Sequence, residues 1–343
     1  VTPWSSHLGS EESEPDARKW AGRQGFYKKE LSIKCKRAFE VDAESASFLR
    51  FYGLNISPND VTGEMERKTC EDGSCFTPYK YGWAWEAKIH IGSGSSSTLD
   101  DYRGHAEVNK HYAMGRLSYK ESHVMPDQRT VYNADTAAHG GAFTKFVATT
   151  PKDLSKGELF CAKLIQLTPD GATAQNSKFN IEWKSMGVAD DATIRSAIGT
   201  EYPFPDATNV DNIQHICHKT GVKADPLLTF DDIFDSTDVH ASVPVENGNE
   251  AIANDVGHNS GKCPAGYTSI RTASNTQQYE CLRVRIGMEM HASRLETRRY
   301  AAMLGCTTEL SQSGGMTYSS MHQKLFVTFS TVEGKNGGME KNT

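Results

Sequence analysis

The amino-acid sequence predicts an all-β protein. In residues 81–91, Tyr-Gly-Trp-Ala-Trp-Glu-Ala-Lys-Ile-His-Ile, large apolar residues recur at alternate positions, the period of a half-buried strand. Several other short apolar runs follow, separated by turn residues such as His139-Gly-Gly141 and Pro151-Lys-Asp153. Helical patterns are few and short. These three observations together favour a strand-rich fold.

The remaining strands are assigned from apolar runs bounded by turn signals. They are predicted, in chain order, at residues 129–135, 142–147, 158–167, 179–185, 281–288 and 324–331. Residues 124–135 and 315–329 share one order of features, namely a strand, a polar turn and a second strand. Successive short hairpins of this kind are the units of β-propeller blades. The sequence therefore predicts a β-propeller with short helical insertions.

Short helices are predicted at residues 43–52, 189–198 and 292–304. The third places apolar residues near one stripe and charged residues largely outside it. Its charged residues, Arg294, Glu296, Arg298 and Arg299, are therefore predicted to form a solvated helix face.

No composition shift marks a domain boundary. Residues 92–98, 244–262 and 334–343 are polar and rich in Gly, Ser or Asn, which is typical of surface loops or tails. We therefore predict one domain over residues 1–333, although a length of 343 residues alone would suggest about two. Residues 334–343 are predicted to be a polar tail.

Charge and hydropathy argue against two classes of protein, those that bind nucleic acid and those that span a membrane with helices. The net charge is -6, with 37 Lys+Arg against 43 Asp+Glu, and no basic stripe is present. A nucleic-acid-binding protein, which neutralises phosphates, is therefore not expected. No apolar run approaches the roughly 18 residues of a membrane-spanning helix.

Eight cysteines indicate the compartment. Their number is even, and no Cys-x-x-Cys pair is present. Cys70 and Cys75 bracket an Asp-Gly turn, which favours a local disulfide. This pattern favours a secreted, extracellular protein, the alternative being a cytosolic protein with free buried thiols.

Two acidic clusters could hold a hard cation such as Ca²⁺. The first is Glu11-Glu12 with Glu14 and Asp16. Glu11 and Glu12 follow a strand-like run, and acids at the end of a strand are well placed for this role. The second cluster is Asp231-Asp232 with Asp235 and Asp238, and its first pair could instead cap a helical turn.

Several long motifs resemble those of the PhoX-type alkaline phosphatases. The motifs are Thr2-Pro-Trp-Ser-Ser-His-Leu-Gly-Ser-Glu-Glu12, Lys110-His-Tyr-Ala-Met-Gly-Arg116, Val124-Met-Pro-Asp127, Arg129-Thr-Val-Tyr132, Asp153-Leu-Ser-Lys-Gly-Glu-Leu159 and residues 292–302 followed by Thr307-Thr-Glu309. The resemblance runs in order over most of residues 1–333. It implies a secreted propeller of about six blades. It also implies a central calcium and iron site that clamps a phosphate ester.

The ligands that the resemblance implies map only partly onto this sequence. Glu12 matches a family glutamate, and Asp135 matches a family aspartate. Glu11 and Glu121 are further candidate metal ligands, and Glu309 could also replace a lost carboxylate. The family's iron-binding cysteine should precede Thr-Pro-Trp, whereas this sequence begins at Val1. Iron is therefore not expected.

At three positions that bind the metals or the phosphate in the family, this sequence has residues unsuited to that role. A family glutamate falls on Lys120, a second falls on Gly314, and Gln312 replaces a basic residue. A lysine about 4 Å from a cation, at an effective dielectric of about 20, costs roughly 4 kcal/mol per unit charge of the metal. We therefore expect the catalytic cluster not to assemble, although a single structural calcium could remain.

The sequence thus predicts a secreted PhoX-like propeller with a degenerate metal site, which acts as a non-catalytic structural or interaction module. The alternative is a calcium-dependent phosphomonoesterase with altered ligands. Because a propeller closes by pairing its first and last strands, other protein chains or residues outside this sequence are expected to complete it.

Overall fold

The computed structural model describes residues 2–12, 14, 56–58, 65–67, 78–90, 105–136, 141–168, 178–198, 228, 230–237, 263–271, 279–308 and 310–332. Strands make up most of this structure, which confirms the prediction of an all-β class. They are β1 (His7–Ser10), β2 (Ile56–Pro58), β3 (Met65–Arg67), β4 (Ala84–His90), β5 (His105–His111), β6 (Tyr119–Val124), β7 (Thr130–Asp135), β8 (Phe143–Thr150), β9 (Asp153–Gln166), β10 (Phe179–Asp190), β11 (Phe234–Thr237), β12 (Thr268–Arg271), β13 (Tyr279–Val284), β14 (Leu310–Ser319) and β15 (Lys324–Val332).

All strand pairings within the described ranges are antiparallel. The largest sheet is a five-stranded meander in the order β10-β9-β8-β7-β6. Two three-stranded sheets have the orders β1-β4-β5 and β11-β13-β12, and two hairpins pair β14 with β15 and β2 with β3. The predicted strand pairs at residues 124–135 and 315–329 correspond to the β6–β7 and β14–β15 hairpins.

The chain divides into two compact units. The first comprises Val1–Glu14, Gly82–Ile194 and Asp231–Thr343, and it contains the meander, both three-stranded sheets and the β14–β15 hairpin. The second comprises Pro15–Tyr81 and Arg195–Phe230, and its described part contains the β2–β3 hairpin. The single domain predicted for residues 1–333 and the tail at 334–343 stay predictions.

The main core lies in the first unit, on one face of the meander. Alternate residues of the strands supply it, including Tyr119, Val131, Phe146 and Leu159, all fully buried. A second core contains Tyr132, Phe143, Trp183 and Phe329, whose rings contact each other at centroid distances of 5.8–6.4 Å. Burial of these large side chains supplies the main favourable free energy of folding.

Four of the described strand pairings contain register shifts that the sequence pattern did not indicate. The register shifts between Tyr119 and Glu121 in β6, between Ala148 and Thr150 in β8, between Ser185 and Val188 in β10, and between Ser313 and Gly315 in β14. The extra residues include Lys120 and Gly314, the two positions where family carboxylates are missing. A bulge bends its strand and redirects the side chains next to it.

The described helices are short. They are α1 (Asp191–Ala197), α2 (Phe230–Ile233), α3 (Glu289–Leu295) and α4 (Thr297–Met303). None of the helices in the described ranges has the length and hydropathy needed to cross a membrane. The helix predicted at residues 189–198 is present as α1, and the segment 292–304 contains two helices separated at Glu296, whose φ and ψ are -127° and 48°. The helix predicted at residues 43–52 lies outside the described residues.

The prediction of a solvated charged face on the third helix is wrong. Arg294 is fully buried and Glu296 is 2% exposed. The side chain of Arg298 is 18% exposed and that of Arg299 is 14% exposed. These charged side chains have polar partners within the fold instead of facing water, namely main-chain carbonyls for Arg294, Asp135 for Arg298 and Glu296 for Arg299.

Two disulfides lie among the described residues. Cys161 in β9 is bonded to Cys306, which follows α4, and Cys263 is bonded to Cys281 in β13. The disulfide predicted between Cys70 and Cys75 lies outside the described residues. The first disulfide ties the meander to the segment after the helices, and the second closes a local loop.

We predict that the two disulfides differ in their contribution to stability. The Cys161–Cys306 bond spans 145 residues and the Cys263–Cys281 bond spans 18. Because the chain entropy that a disulfide removes grows with loop length, the double variant Cys161→Ala/Cys306→Ala should lose about 4–5 kcal/mol and Cys263→Ala/Cys281→Ala about 3 kcal/mol. Urea unfolding of both variants measures the difference. Equal losses, or a larger loss for the short loop, would contradict this prediction.

Candidate functional site

Asp135, predicted as a metal ligand, lies at the centre of a buried ion cluster. Its carboxylate accepts two hydrogen bonds from one guanidinium, Arg298 Nε to Oδ2 at 2.8 Å and Nη2 to Oδ1 at 3.1 Å. Arg298 Nη2 is also 2.7 Å from Glu14 Oε2, and Arg116 Nη1 is 3.1 Å from Glu14 Oε1. We call these four residues, Glu14, Arg116, Asp135 and Arg298, the Asp135 cluster. It holds two carboxylates and two guanidinium groups.

The electrostatics of the Asp135 cluster follow from its burial. Asp135 is completely buried, and the side chains of Glu14 and Arg116 are 6% and 1% exposed. Burial raises the pKa of Glu14, against the opposing effect of Arg298 and Arg116. Burial also acts to lower the pKa of Arg298, but the charges of Asp135 and Glu14 outweigh it and raise that pKa. Arg298 is therefore charged at neutral pH.

A second arginine, Arg294 in α3, fixes the helix that directly precedes the helix carrying Arg298. Arg294 donates to the main-chain carbonyls of Ala113 at 2.7 Å and Gly187 at 2.7 Å, and to Met186 O at 3.2 Å. Burial lowers the pKa of Arg294 to about 10, so it is still charged at neutral pH. Met186 and Gly187 lie in the β10 bulge, which turns both carbonyls toward the guanidinium.

A tight turn at Gly115 brings Arg116 into the Asp135 cluster. Gly115 has a φ of +86°, and a Cβ there would lie 2.7 Å from Thr297 Oγ1. The same hydroxyl accepts a 2.9 Å hydrogen bond from the Arg116 main-chain N–H. Only glycine fits this position without strain, because it combines a positive φ with close approach to the first residue of α4.

Glu11 is bonded to the protein through both oxygens. Its Oε2 accepts hydrogen bonds from the main-chain N–H groups of Gly82 at 2.7 Å and Trp83 at 3.1 Å. Its Oε1 is 2.6 Å from Lys110 Nζ. Glu11 thus fixes the start of β4 next to the end of β1.

Glu12 and Glu121 also have protein partners. Glu12 Oε1 is 2.8 Å from Lys120 Nζ in an exposed ion pair, with side chains 60% and 42% exposed. Lys120 therefore pairs with the glutamate that the resemblance assigned to the metal. Glu121 Oε2 accepts a 2.6 Å hydrogen bond from the Met316 N–H, just after the β14 bulge.

The structure does not bring the predicted metal ligands together. Asp135 belongs to the buried cluster, Glu12 is at the surface, Glu11 accepts main-chain N–H groups just before β4, and Glu121 accepts one in β14. Gln312 and Gly314 are exposed in β14. Among the described residues, no group of three His, Cys, Asp or Glu side chains could hold a metal ion. Glu309 lies outside the described residues.

A buried histidine forms a second polar cluster, which the sequence analysis missed. His111 Nε2 is 3.2 Å from Glu86 Oε2, and Nδ1 is 3.3 Å from Asp191 Oδ2. Glu86 Oε1 accepts hydrogen bonds from Trp4 Nε1 at 2.6 Å and from the Ser6 hydroxyl. Because both ring nitrogens face carboxylates, the ring binds as an imidazolium. The cluster joins β4, β5 and the start of α1, and its one sequence signal is Glu86 within a strand of buried residues.

The pKa values of this second cluster reflect the pairing. Burial would lower the pKa of His111, but the hydrogen bonds that the ring donates to Asp191 and Glu86 raise it to about 9. Burial would raise the pKa of Glu86, and its hydrogen bonds to His111, Ser6 and Trp4 lower it to about 2. Burial raises the pKa of Asp191 despite the same histidine. Ser6 donates to Glu86 and not to His111, so the cluster is not a nucleophilic triad.

Comparisons with known proteins give no independent assignment, since no family model, curated protein or solved structure matches the chain. The resemblance to the PhoX-type phosphatases therefore stays a prediction from the sequence motifs.

We predict that the Asp135 cluster is critical for stability. Arg298→Ala would leave the carboxylates of Asp135 and Glu14 buried with one fewer cation, which typically costs about 3–5 kcal/mol. Lys120→Ala is the matched control, since it breaks the exposed pair with Glu12 and should cost no more than about 1 kcal/mol. Chemical denaturation measures both. A loss below about 1 kcal/mol for Arg298→Ala would contradict the prediction.

The His111 cluster predicts a pH dependence. Because the folded-state pKa of His111, about 9, exceeds the ordinary value of 6.5, its contribution is fully present below 6.5 and disappears as pH rises through 9. The stability difference between the wild type and His111→Gln should therefore shrink across that interval. His105→Gln, at an exposed position of the same strand, is the control. Thermal unfolding at a series of pH values tests this, and a difference that stays constant would contradict it.

Proposed function

We propose that this chain is a structural or interaction module of a secreted protein and that it does not act as a metal-dependent phosphatase. The observation that supports this proposal is the bidentate pair between Arg298 and Asp135. Asp135 is the buried carboxylate that the family resemblance assigns to a metal, and here a guanidinium occupies both of its oxygens.

A cation at Asp135 would have to displace Arg298 or lie beside it. Displacement would leave a buried guanidinium without Asp135 as a partner, which is strongly unfavourable. Coexistence would place like charges within a few ångströms, at roughly 4 kcal/mol per unit charge of the metal for an effective dielectric of about 20. The Asp135 cluster is therefore better suited to hold elements of the fold together than to exchange metal.

The other candidate ligands support the same proposal. Glu12 is neutralised by Lys120, and Glu121 accepts a main-chain N–H. Each carboxylate has a function in pairing strands or neutralising a neighbour. An exposed carboxylate such as Glu12 could still accept a calcium ion, so a single structural calcium remains part of the proposal while catalytic metal chemistry does not.

Secretion and a propeller arrangement belong to the proposal as well. The two disulfides fit an oxidising compartment. The antiparallel meander and hairpins fit a propeller in their strand pairing, although the meander has five strands and a typical blade has four. On this proposal, partner chains complete the fold.

An activity and metal assay tests the proposed function. We expect the purified chain to hydrolyse p-nitrophenyl phosphate no faster than its Asp135→Asn variant, with or without added Ca²⁺, and EDTA to change neither rate. The folded state of both proteins is checked by circular dichroism. EDTA-sensitive turnover that Asp135→Asn abolishes, or stoichiometric iron in the purified chain, would instead support the alternative of a working phosphomonoesterase.

A further inference from the structure

The strand β10 forms an open edge of the meander. It stands last in the order β10-β9-β8-β7-β6, and with 12 residues it is the longest terminal strand in the described part of the chain. Ile181 is 48% exposed, and Asn180, Glu182 and Ser185 are exposed as well. An exposed edge of this length is a template for pairing with another chain unless charge, proline or a covering element protects it.

The hydrogen bonding of β10 shows which main-chain groups face this edge. The Leu167 N–H donates to Lys178 O at 2.7 Å, which fixes the phase of the ladder between β9 and β10. Because successive residues direct their main-chain groups to alternate sides, the even-numbered residues of the range 180–184 bond to β9. The odd-numbered residues of the range 181–185 therefore direct their N–H and C=O groups outward. Within the described ranges, no other strand pairs with this side of β10.

The open stretch of β10 ends at its bulge. Met186 O and Gly187 O accept hydrogen bonds from Arg294 at 3.2 and 2.7 Å, so these main-chain groups already have a partner in α3. Residues 181–185 precede the bulge, are paired regularly with β9 and span about 17 Å. This is the length of a typical strand, so one further strand of ordinary size fits along the edge.

The charges of this stretch are complementary to those of a second, reversed copy of itself. Glu182 and Lys184 lie on one face of the sheet, and Trp183 lies between them on the other face. If two copies of β10 pair antiparallel about a two-fold axis at Trp183, each Glu182 lies directly opposite Lys184 of the second copy. An axis at Glu182 or at Lys184 would place like charges opposite each other, which is unfavourable. Charge therefore favours one register of self-pairing.

The surroundings of these three side chains suit that register. Glu182 is exposed and has no ion-pair partner among the described residues. Lys184 Nζ donates to Leu304 O at 2.7 Å, and this neutral partner leaves the charge of the lysine unbalanced. The Trp183 ring belongs to the second core, 5.8 Å from the ring of Phe143. A second Trp183 across the axis would extend this aromatic cluster from one copy to the other.

We propose that β10 pairs with β10 of a second copy of this chain, antiparallel and with the two-fold axis at Trp183. The two meanders would then form one continuous sheet. Because the same edge is used by both copies, the assembly closes at a dimer and leaves neither β10 edge open. The proposal goes beyond the proposed function, since it needs the β10 edge and not the Asp135 cluster.

Sedimentation equilibrium of the purified chain tests this proposal. We expect the mass to rise from that of one chain toward that of two as the concentration increases from about 1 to 200 µM. Ile181→Pro removes one outward N–H from each copy at an edge position where proline is tolerated, and it should weaken dimerisation at least tenfold. Ile181→Val, the matched control, keeps that N–H and should dimerise within about twofold of the wild type.

A charge variant tests the register without changing the main chain. Glu182→Lys would place two lysines opposite each other at both ends of the pairing, so we expect at least tenfold weaker dimerisation at low salt. Glu107→Lys is the matched control, because it makes the same change of charge at an exposed position of another terminal strand, β5. It should dimerise within about twofold of the wild type. Circular dichroism checks that each variant is folded.

A further measurement uses only the wild-type protein, in case the variants fail to fold. Unlabelled and heavy-isotope-labelled chains are mixed and treated with a carbodiimide, which condenses a carboxylate with a neighbouring amine. We expect mass spectrometry to find Glu182 of one isotope joined to Lys184 of the other. Hydrogen exchange at residues 181, 183 and 185 should be slower at high than at low protein concentration.

Several outcomes would overturn the proposal. They are a chain that stays monomeric at every concentration, a dimer in which exchange at residues 181, 183 and 185 is unchanged, and a dimer that folded Ile181→Pro and Glu182→Lys leave intact. Weaker dimerisation of Glu107→Lys alone would identify β5 as the interface instead. Phosphatase turnover would contradict the proposed function and leave the dimer measurement unaffected, so the two failures are distinguishable.

Discussion

The buried guanidinium of Arg298 is the interaction on which the rest of the described first unit depends. It neutralises Asp135 at the end of β7 and Glu14 near the start of the chain, so three distant parts of the sequence meet at one charge. Burying ions is costly unless each has good partners, and the bidentate geometry supplies them. Arg294, one helical turn earlier, fixes the same helix pair to main-chain carbonyls of β9 and β10 at Gly157 and Gly187. Helix position and sheet position are thereby determined together.

This arrangement assigns the buried acidic residues a structural role in place of a metal-binding one. A carboxylate that balances a buried arginine cannot exchange that arginine for a metal without destabilising the fold. Asp135 therefore cannot stabilise the fold and bind a catalytic metal at the same time. The His111 cluster follows the same rule, because Glu86 and Asp191 share one buried cation between them. In both clusters the polar groups connect separate elements, which favours one specific packing of the sheets.

Local sequence patterns predicted much of the strand content because alternation and turn residues act over a few positions. The β6–β7 and β14–β15 hairpins are examples. The patterns failed where distant contacts decide the outcome. The charges at Arg294 and Glu296 were predicted to face solvent because a single helix cannot show what packs against its polar side. The partners of Asp135 and His111 lie up to 163 residues away in sequence and could not be inferred from spacing. The Cys161–Cys306 bond was equally invisible, since eight cysteines allow many pairings.

The bulge at Lys120 shows how one inserted residue joins two sheets. A bulge bends its strand and redirects the side chains next to it. Here it lies immediately after Tyr119, whose main-chain N–H donates to Glu11 O at 3.0 Å. The main-chain oxygen of Lys120 accepts a hydrogen bond from the Ser10 hydroxyl at 3.5 Å, and its ammonium group is 2.8 Å from Glu12 Oε1. A substitution that looks in sequence like the loss of a metal ligand therefore corresponds in structure to a bulge residue whose main chain and side chain both contact the segment 10–12, because the register of the bulge, and not the family alignment, decides where the side chain points.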